Sequence, residues 1–208
     1  MLALSPIACS RNTDGRIEEP YRRPSRAEAE AAVRTLIGWA GDDPRREGLA
    51  ATPGRVVRAY EEWFAGCGQD PAEILERTFG EVAGYGEMVL WRDFPVESVC
   101  EHHMAAIRGV AHVAYVPRQR LVGISKLARL VDVYARRLQI QERPTAEIAE
   151  ELERTLKPRG AAVIIEAAHE CMSSRGVRKR GAWLVTRSFT GVFEDVTAPR
   201  EVLDALLS

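Results

Sequence analysis

The sequence predicts an α+β fold: N-terminal helices, then a β-β-α-α-β-β unit forming an antiparallel sheet with helices on one face. Three observations predict it. The early part of the chain places apolar residues at helical spacing. Further on, four stretches rich in Val, Ile and aromatics are bounded by Gly and Pro, as strands are. Between the second and third of these stand two amphipathic helical segments. Strand pairs separated by a helix pair make a sheet covered on one side.

The elements follow in order. PSRAEAEAAVRTLIGWAG opens on a capping box, Ser25 with Glu28, and closes at Gly41. Ala29, Val33, Leu36, Ile37 and Ala40 fall on one face of this helix. DDPRREGLAATPGRV is a turn-rich connector in which Thr52 is the expected N-cap. Pro53 then sits in the first turn, where its missing N–H costs nothing. The next helix has the stripe Val56, Val57, Tyr60, Trp63 and Phe64, with Arg55 and Arg58 on the solvent side. A short helix is expected around residues 71 to 77. The strands are EMVLWRDFPVES, RGVAHVAYVP, GAAVIIEAAH and GAWLVTRSFTGVF. SKLARLVDVYARRLQ puts Leu127, Leu130, Val131, Tyr134 and Leu138 on one helical face. TAEIAEELERTLKPRG does the same with Ile148, Leu152 and Leu156, stopped by Pro158 and Gly160. The chain thus divides into a flexible tail over 1–24, a helical region over 25–84 and a sheet-bearing domain over 85–208.

Composition narrows the function classes. With 208 residues, 46% hydrophobic and 28% charged, this is the chemistry of an ordinary globular chain. A formal net charge of −1 argues against a dedicated nucleic-acid binder or membrane-surface protein. No apolar run approaches the roughly 18 to 20 residues that span a bilayer. The N-terminus lacks a basic region before a long apolar run, so no signal peptide is expected. Cys9, Cys67, Cys100 and Cys171 are too scattered for a disulfide framework. A reducing cytoplasm is the expected compartment, and there Cys beside His points to metal or catalysis.

The stretch ESVCEHHMAAIRG holds that pairing. Cys100 and His103 form C-x-x-H, a spacing that lets two side chains converge on one ion. That favours His103 as the ligand and leaves His102 to face a substrate. The third ligand is open among His112, His169 and Cys171, the last two in EAAHECMSSRG. His112 lies inside an apolar strand and reads as structural. His169 and Cys171 lie two apart, which in extended chain means one face. Two thiolates, one imidazole and an open position would make a catalytic zinc site. No G-x-x-x-x-G-K-[ST] loop is present.

CEHHM, GISKLARLVDVYARRLQIQERPT and EAAHECMSSRGV together resemble GTP cyclohydrolase I of the zinc-dependent type, and DDPRREGLAATPGRV is similar to that family's N-terminal motif. The resemblance covers about residues 26 to 205. It implies a tunnelling fold, assembled as a homodecamer with sites at subunit interfaces. It also implies hydrolysis of GTP at C8 with release of formate, giving 7,8-dihydroneopterin triphosphate. The implied Zn2+ ligands are Cys100, His103 and Cys171. His102 and His169 are the implied proton-transfer groups, with Ser125 at the ribose. Glu142, with Gln141 beside it, is implied to read guanine. Lys126, Arg129, Arg175, Arg55 and Arg58 are implied at the triphosphate. Two departures stand out: Ala105, Ala106 and Ile107 make a less bulky wall after the motif, and Glu170 sits where an apolar residue is frequent.

Overall fold

A computed structural model describes residues 22–75, 78–79 and 85–194. Most of the tail expected over 1–24, and the last residues of the domain expected over 85–208, lie outside them. Cα packing divides the chain into two units, between Gly68 and Gln69.

The first unit pairs two helices, α1 (Arg26–Trp39) and α2 (Thr52–Trp63). The capping box forms as expected. The Glu28 N–H donates to Ser25 Oγ at 3.3 Å, and the Ser25 N–H donates to Glu28 Oε2 at 2.7 Å. Gly41 follows with φ +93°, the left-handed turn that stops the helix. The apolar face of α1 is only partly covered: Ala29, Val33 and Ile37 are half-buried, and no residue of the helix is fully buried. Thr52 is not the cap of α2. Ala51 takes that position and makes no side-chain bond, so Pro53 alone marks this start. Arg55 and Arg58 are exposed on α2.

The second unit opens with α3 (Pro71–Leu75) and β1 (Thr78–Phe79). There follow β2 (Val89–Cys100), β3 (Ala106–Val116), β4 (Leu121–Val122), α4 (Ile124–Ala135), β5 (Leu138–Gln139) and α5 (Glu142–Leu156). The unit closes with β6 (Gly160–His169), the helical turn α6 (Glu170–Ser173) and β7 (Leu184–Phe189). The expected β-β-α-α-β-β order is therefore present. The main sheet runs β5-β2-β3-β6-β7, antiparallel except where the short β5 lies parallel to the end of β2. β1 pairs with β4 in a separate two-stranded piece.

Alternation sorts the sheet's faces. Phe94, Val96, Ile107, Ala111, Val113, Tyr115, Val163 and Ile165 point to the helices. They meet Leu127, Leu130, Val131, Ile148 and Leu152, which are 0–2% exposed. Two helix boundaries differ from the sequence reading. α4 ends at Ala135, and Leu138, expected on its apolar face, is a strand residue 41% exposed. α5 starts three residues before Thr145, with Pro144 tolerated in its first turn. α3, placed with the helical region by sequence, packs against α4 and α5. Among the described residues no helix is long and apolar enough to cross a membrane.

His112 is structural, as the strand pattern suggests. It is 3% exposed in β3, and its Nδ1 accepts the Asp93 N–H at 3.3 Å. Asp93 sits with φ +60° in the irregularity between Trp91 and Phe94. Burial holds the His112 pKa below 6.5; Asp93 and Glu166 pull it up, and Arg92 pushes it down. The unfolded chain therefore binds this proton more readily. The stability contributed by the neutral imidazole is present above pH 6.5 and is lost as pH falls below it. Urea midpoints should fall between pH 7.5 and about 5.5, and His112→Gln should flatten that slope.

Gly109 is required where β3 meets β6. A Cβ there would lie 1.9 Å from the Glu166 carbonyl oxygen and 2.5 Å from Ala167 Cα. Gly109→Ala should cost at least about 1–3 kcal/mol, read as a lower urea midpoint.

Candidate metal centre

The loop joining β2 to β3 is tight. The Cys100 N–H donates to the Ala105 carbonyl and the Met104 N–H to the Cys100 carbonyl, both at 2.8 Å. The second bond spans four residues, as in a helical turn, so Cys100 and His103 come to one side. Met104 completes the reversal with φ +51°. Cys100 Sγ lies 3.8 Å from His103 Nδ1.

Cys171 arrives from β6. The β3–β6 register sets His169 opposite Ile107, just past the loop, and α6 then turns Cys171 inward. The chain is not extended through Cys171, so the one-face argument for His169 and Cys171 does not hold. A helical turn brings Cys171 to the pair instead. The donor atoms of Cys100, His103 and Cys171 all lie within 4.8 Å of one another. A tetrahedral zinc, about 2.3 Å from sulfur and 2.0–2.1 Å from nitrogen, sets its ligand atoms roughly 3.5–3.8 Å apart. Cys100 Sγ and His103 Nδ1 stand at that spacing, and two of the three donors are soft sulfurs. Cys100 is 5% exposed and Cys171 half-buried, and both are free thiols. Burial pushes the Cys171 thiol up, and Cys100 beside it pushes the same way; Arg175 pulls it down. A thiol held beside a second sulfur in this way is a site where a cation is favoured.

The other candidates separate into two places. His102 follows Cys100 by two residues and is exposed, its ring centroid 6.3 Å from that of His103. His169 Nε2 lies 2.8 Å from Gln141 Oε1. The Gln141 amide is fixed, because its nitrogen donates to the Ile165 and Leu184 carbonyls at 2.9 Å and to Thr186 Oγ1 at 3.2 Å. Its oxygen therefore faces His169, and His169 Nε2 must carry the proton. The Nδ1 atom is left with its lone pair. Burial holds the His169 pKa below 6.5, and the carboxylate of Glu142 pulls it up. Gln141, expected beside the guanine, is thus 3% exposed with its side chain turned to His169. Glu142 is exposed at the first position of α5. Arg175 is exposed just beyond α6.

Ser125, Lys126 and Arg129 stand elsewhere. α4 begins near the far end of the sheet, where the Val122 N–H donates to Tyr115 Oη at 3.2 Å. It runs toward the metal group, and β5 after it pairs with Val99 and Cys100. Its 12 residues span about 18 Å. The three residues lie in its first half, away from the metal end. The N-cap of α4 is Gly123. Sequence reasoning passed over Glu101 and Arg143, although they adjoin His102 and Glu142 and form an ion pair at 2.8 Å.

The family model described as GTP cyclohydrolase I matches residues 29–207. GTP cyclohydrolase 1 of Brucella canis is 57% identical over 175 residues, covering 84% of this chain and 82% of that protein. GTP cyclohydrolase 1 of Brucella abortus matches with the same identity and coverage. The solved structure of the archaeosine synthase QueF-Like in the apo form covers 50% of this chain and 93% of its own, with a TM-score of 0.42 and 19% identity. The match along nearly all of the chain to one family, together with the Cys-His-Cys group, leads to one conclusion: the chain belongs to the GTP cyclohydrolase I family.

Proposed function

We propose that this chain hydrolyses GTP at C8, releases that carbon as formate and recloses the remainder to 7,8-dihydroneopterin triphosphate, the entry to folate and pterin synthesis in the cytoplasm. The observation that carries the reading is the convergence of Cys100, His103 and Cys171 within 4.8 Å, with two further imidazoles at the same end of the sheet. Zinc is the ion these donors suit, and Cys100, His103 and Cys171 would hold it. When bound, it supplies Lewis-acid activation of water at neutral pH.

The chain's own groups do the rest. His102, exposed beside a ligand, donates a proton to N7 as the imidazole ring opens. His169 has its Nε2–H committed to Gln141, so its Nδ1 takes and returns protons in the later steps. Glu142 accepts both N1–H and the exocyclic amino group of guanine, a pair of donors that adenine lacks. Arg175 meets the triphosphate from the metal end.

Ser125 at the ribose, and Lys126 and Arg129 at the phosphates, belong to a second copy. In one chain they lie toward the opposite end of α4 from the metal group, and a single substrate must meet both sets. This supports a homo-oligomer, a decamer by the family resemblance, with each site completed by a neighbour. Arg55 and Arg58, exposed on α2, are further phosphate contacts.

Incubated with GTP, the protein should release formate and a neopterin that fluoresces after oxidation. Both should vanish with a strong chelator and return with zinc. A folded, zinc-loaded protein that leaves GTP intact would overturn the reading. Separately, cobalt(II) added to the apo protein should give a thiolate-to-cobalt charge-transfer band. That band should lose about half its intensity in Cys171→Ser.

A further inference from the structure

The residues that hold the metal loop against the start of α5 are two that nothing in the proposed chemistry uses. Arg143 Nη1 donates to Glu101 Oε2 at 2.8 Å, and Nη2 lies 3.5 Å from Oε1, a two-armed ion pair. Glu101 lies between the ligand Cys100 and His102, and Arg143 directly follows Glu142. The pair therefore ties the carrier of His102 to the carrier of Glu142, across 42 positions of chain.

The backbone beneath is joined as well. The Glu101 N–H donates to the Gln139 carbonyl at 3.0 Å. Arg143 Nη1 also lies 3.4 Å from Gln139 Oε1. The Gln139 amide is oriented for this contact, because its nitrogen donates to the Tyr134 carbonyl at 2.9 Å. Gln139 is 2% exposed, so the anchor under Arg143 is fixed. On the other side, Glu101 Oε1 lies 3.8 Å from His102 Nε2.

An ion pair this open is a poor device for stability. The side chains of Arg143 and Glu101 are 44% and 30% exposed, and such pairs contribute little to folding. Its geometry suits another task. His102 is 65% exposed by side chain and has Glu101 as its charged neighbour. We infer that Arg143 and Glu101 form a clamp that positions His102 over the substrate, with the metal loop and the guanine-reading end of α5 held at one spacing. Both are positioning residues. The role rests on the reading of His102 and Glu142 given above.

Zinc-loaded full-length protein would be compared with Arg143→Ala, Arg143→Lys, Glu101→Gln and the Arg143→Ala/Glu101→Gln double variant. Formate release gives kcat and KM; zinc per chain and thermal midpoint are read beside them. The clamp predicts that Arg143→Ala and Glu101→Gln each lower kcat by about 10- to 100-fold, with zinc and midpoint unchanged. The double variant should be no worse than the poorer single one, and Arg143→Lys should recover part of the loss. Losses that multiply, a kcat unchanged by Arg143→Ala, or zinc lost in step with activity would each overturn it. Hydrogen exchange gives an arm independent of turnover: amides of residues 101–105 should exchange several-fold faster in Arg143→Ala. If they do not, the clamp is wrong even where GTP is turned over. If they do in a parent inactive on GTP, the reading of the reaction fails while the clamp stands.

Discussion

The pairing of β3 with β6 is the constraint on which the site depends. The two strands stay in register over ten residue pairs, from Ile107 opposite His169 to Val116 opposite Gly160. A slip of one residue would turn every side chain of β6 to the other face. Ile165 and Val163 would then leave the helices, and His169 would leave Gln141. The core and the chemistry are thus fixed by the same set of backbone bonds. Gly109 shows how closely the strands approach, since its place opposite Ala167 has no room for a Cβ. Because the register is fixed by burial along the whole strand, the loop at 101–104 and the turn at Cys171 meet without further adjustment.

The sheet also gives the molecule two chemically distinct ends. Thiols, imidazoles, Glu142 and Arg175 gather where β2 ends, β3 begins and β6 ends. Ser125, Lys126 and Arg129 gather where α4 begins. Helix α4 is a rigid spacer about 18 Å long between them. Under the proposed function a nucleoside triphosphate would touch both sets from between copies, which would make catalysis and assembly one requirement. The second edge of β7 and the exposed Trp183, Leu184 and Val185 on and beside it are consistent with further pairing there.

Much of this was legible in the sequence, and the limits have physical causes. The capping box at Ser25, the main strands and the apolar stripes of α4 and α5 follow from local pattern, and local pattern sufficed. C-x-x-H pointed to His103 because helical spacing is enough to define that pair. The third ligand could not be read from spacing, since Cys171 reaches the site by strand register and a helical turn. Leu138 looked helical because its spacing continues the stripe of α4; pairing with Val99 overrides that pattern. Gln141 looked like a substrate contact because it adjoins Glu142. Successive residues at a helix start point in different directions, and Gln141 turns inward to the Ile165 and Leu184 carbonyls. The apolar face of α1 promised a core that its own unit supplies only in part.

The central claim is that each site is built from both ends of different copies. Two differently tagged chains would be co-expressed, one carrying His102→Ala and the other Lys126→Ala with Arg129→Ala, and oligomers holding both tags would be isolated. Each chain alone should be inactive on GTP, and the mixed oligomers should recover a measurable fraction of formate release. That recovery arises because some interfaces join an intact metal end to an intact phosphate end. Mixed oligomers that stay inactive while containing zinc would contradict the account, and would place all the working groups of a site within one chain.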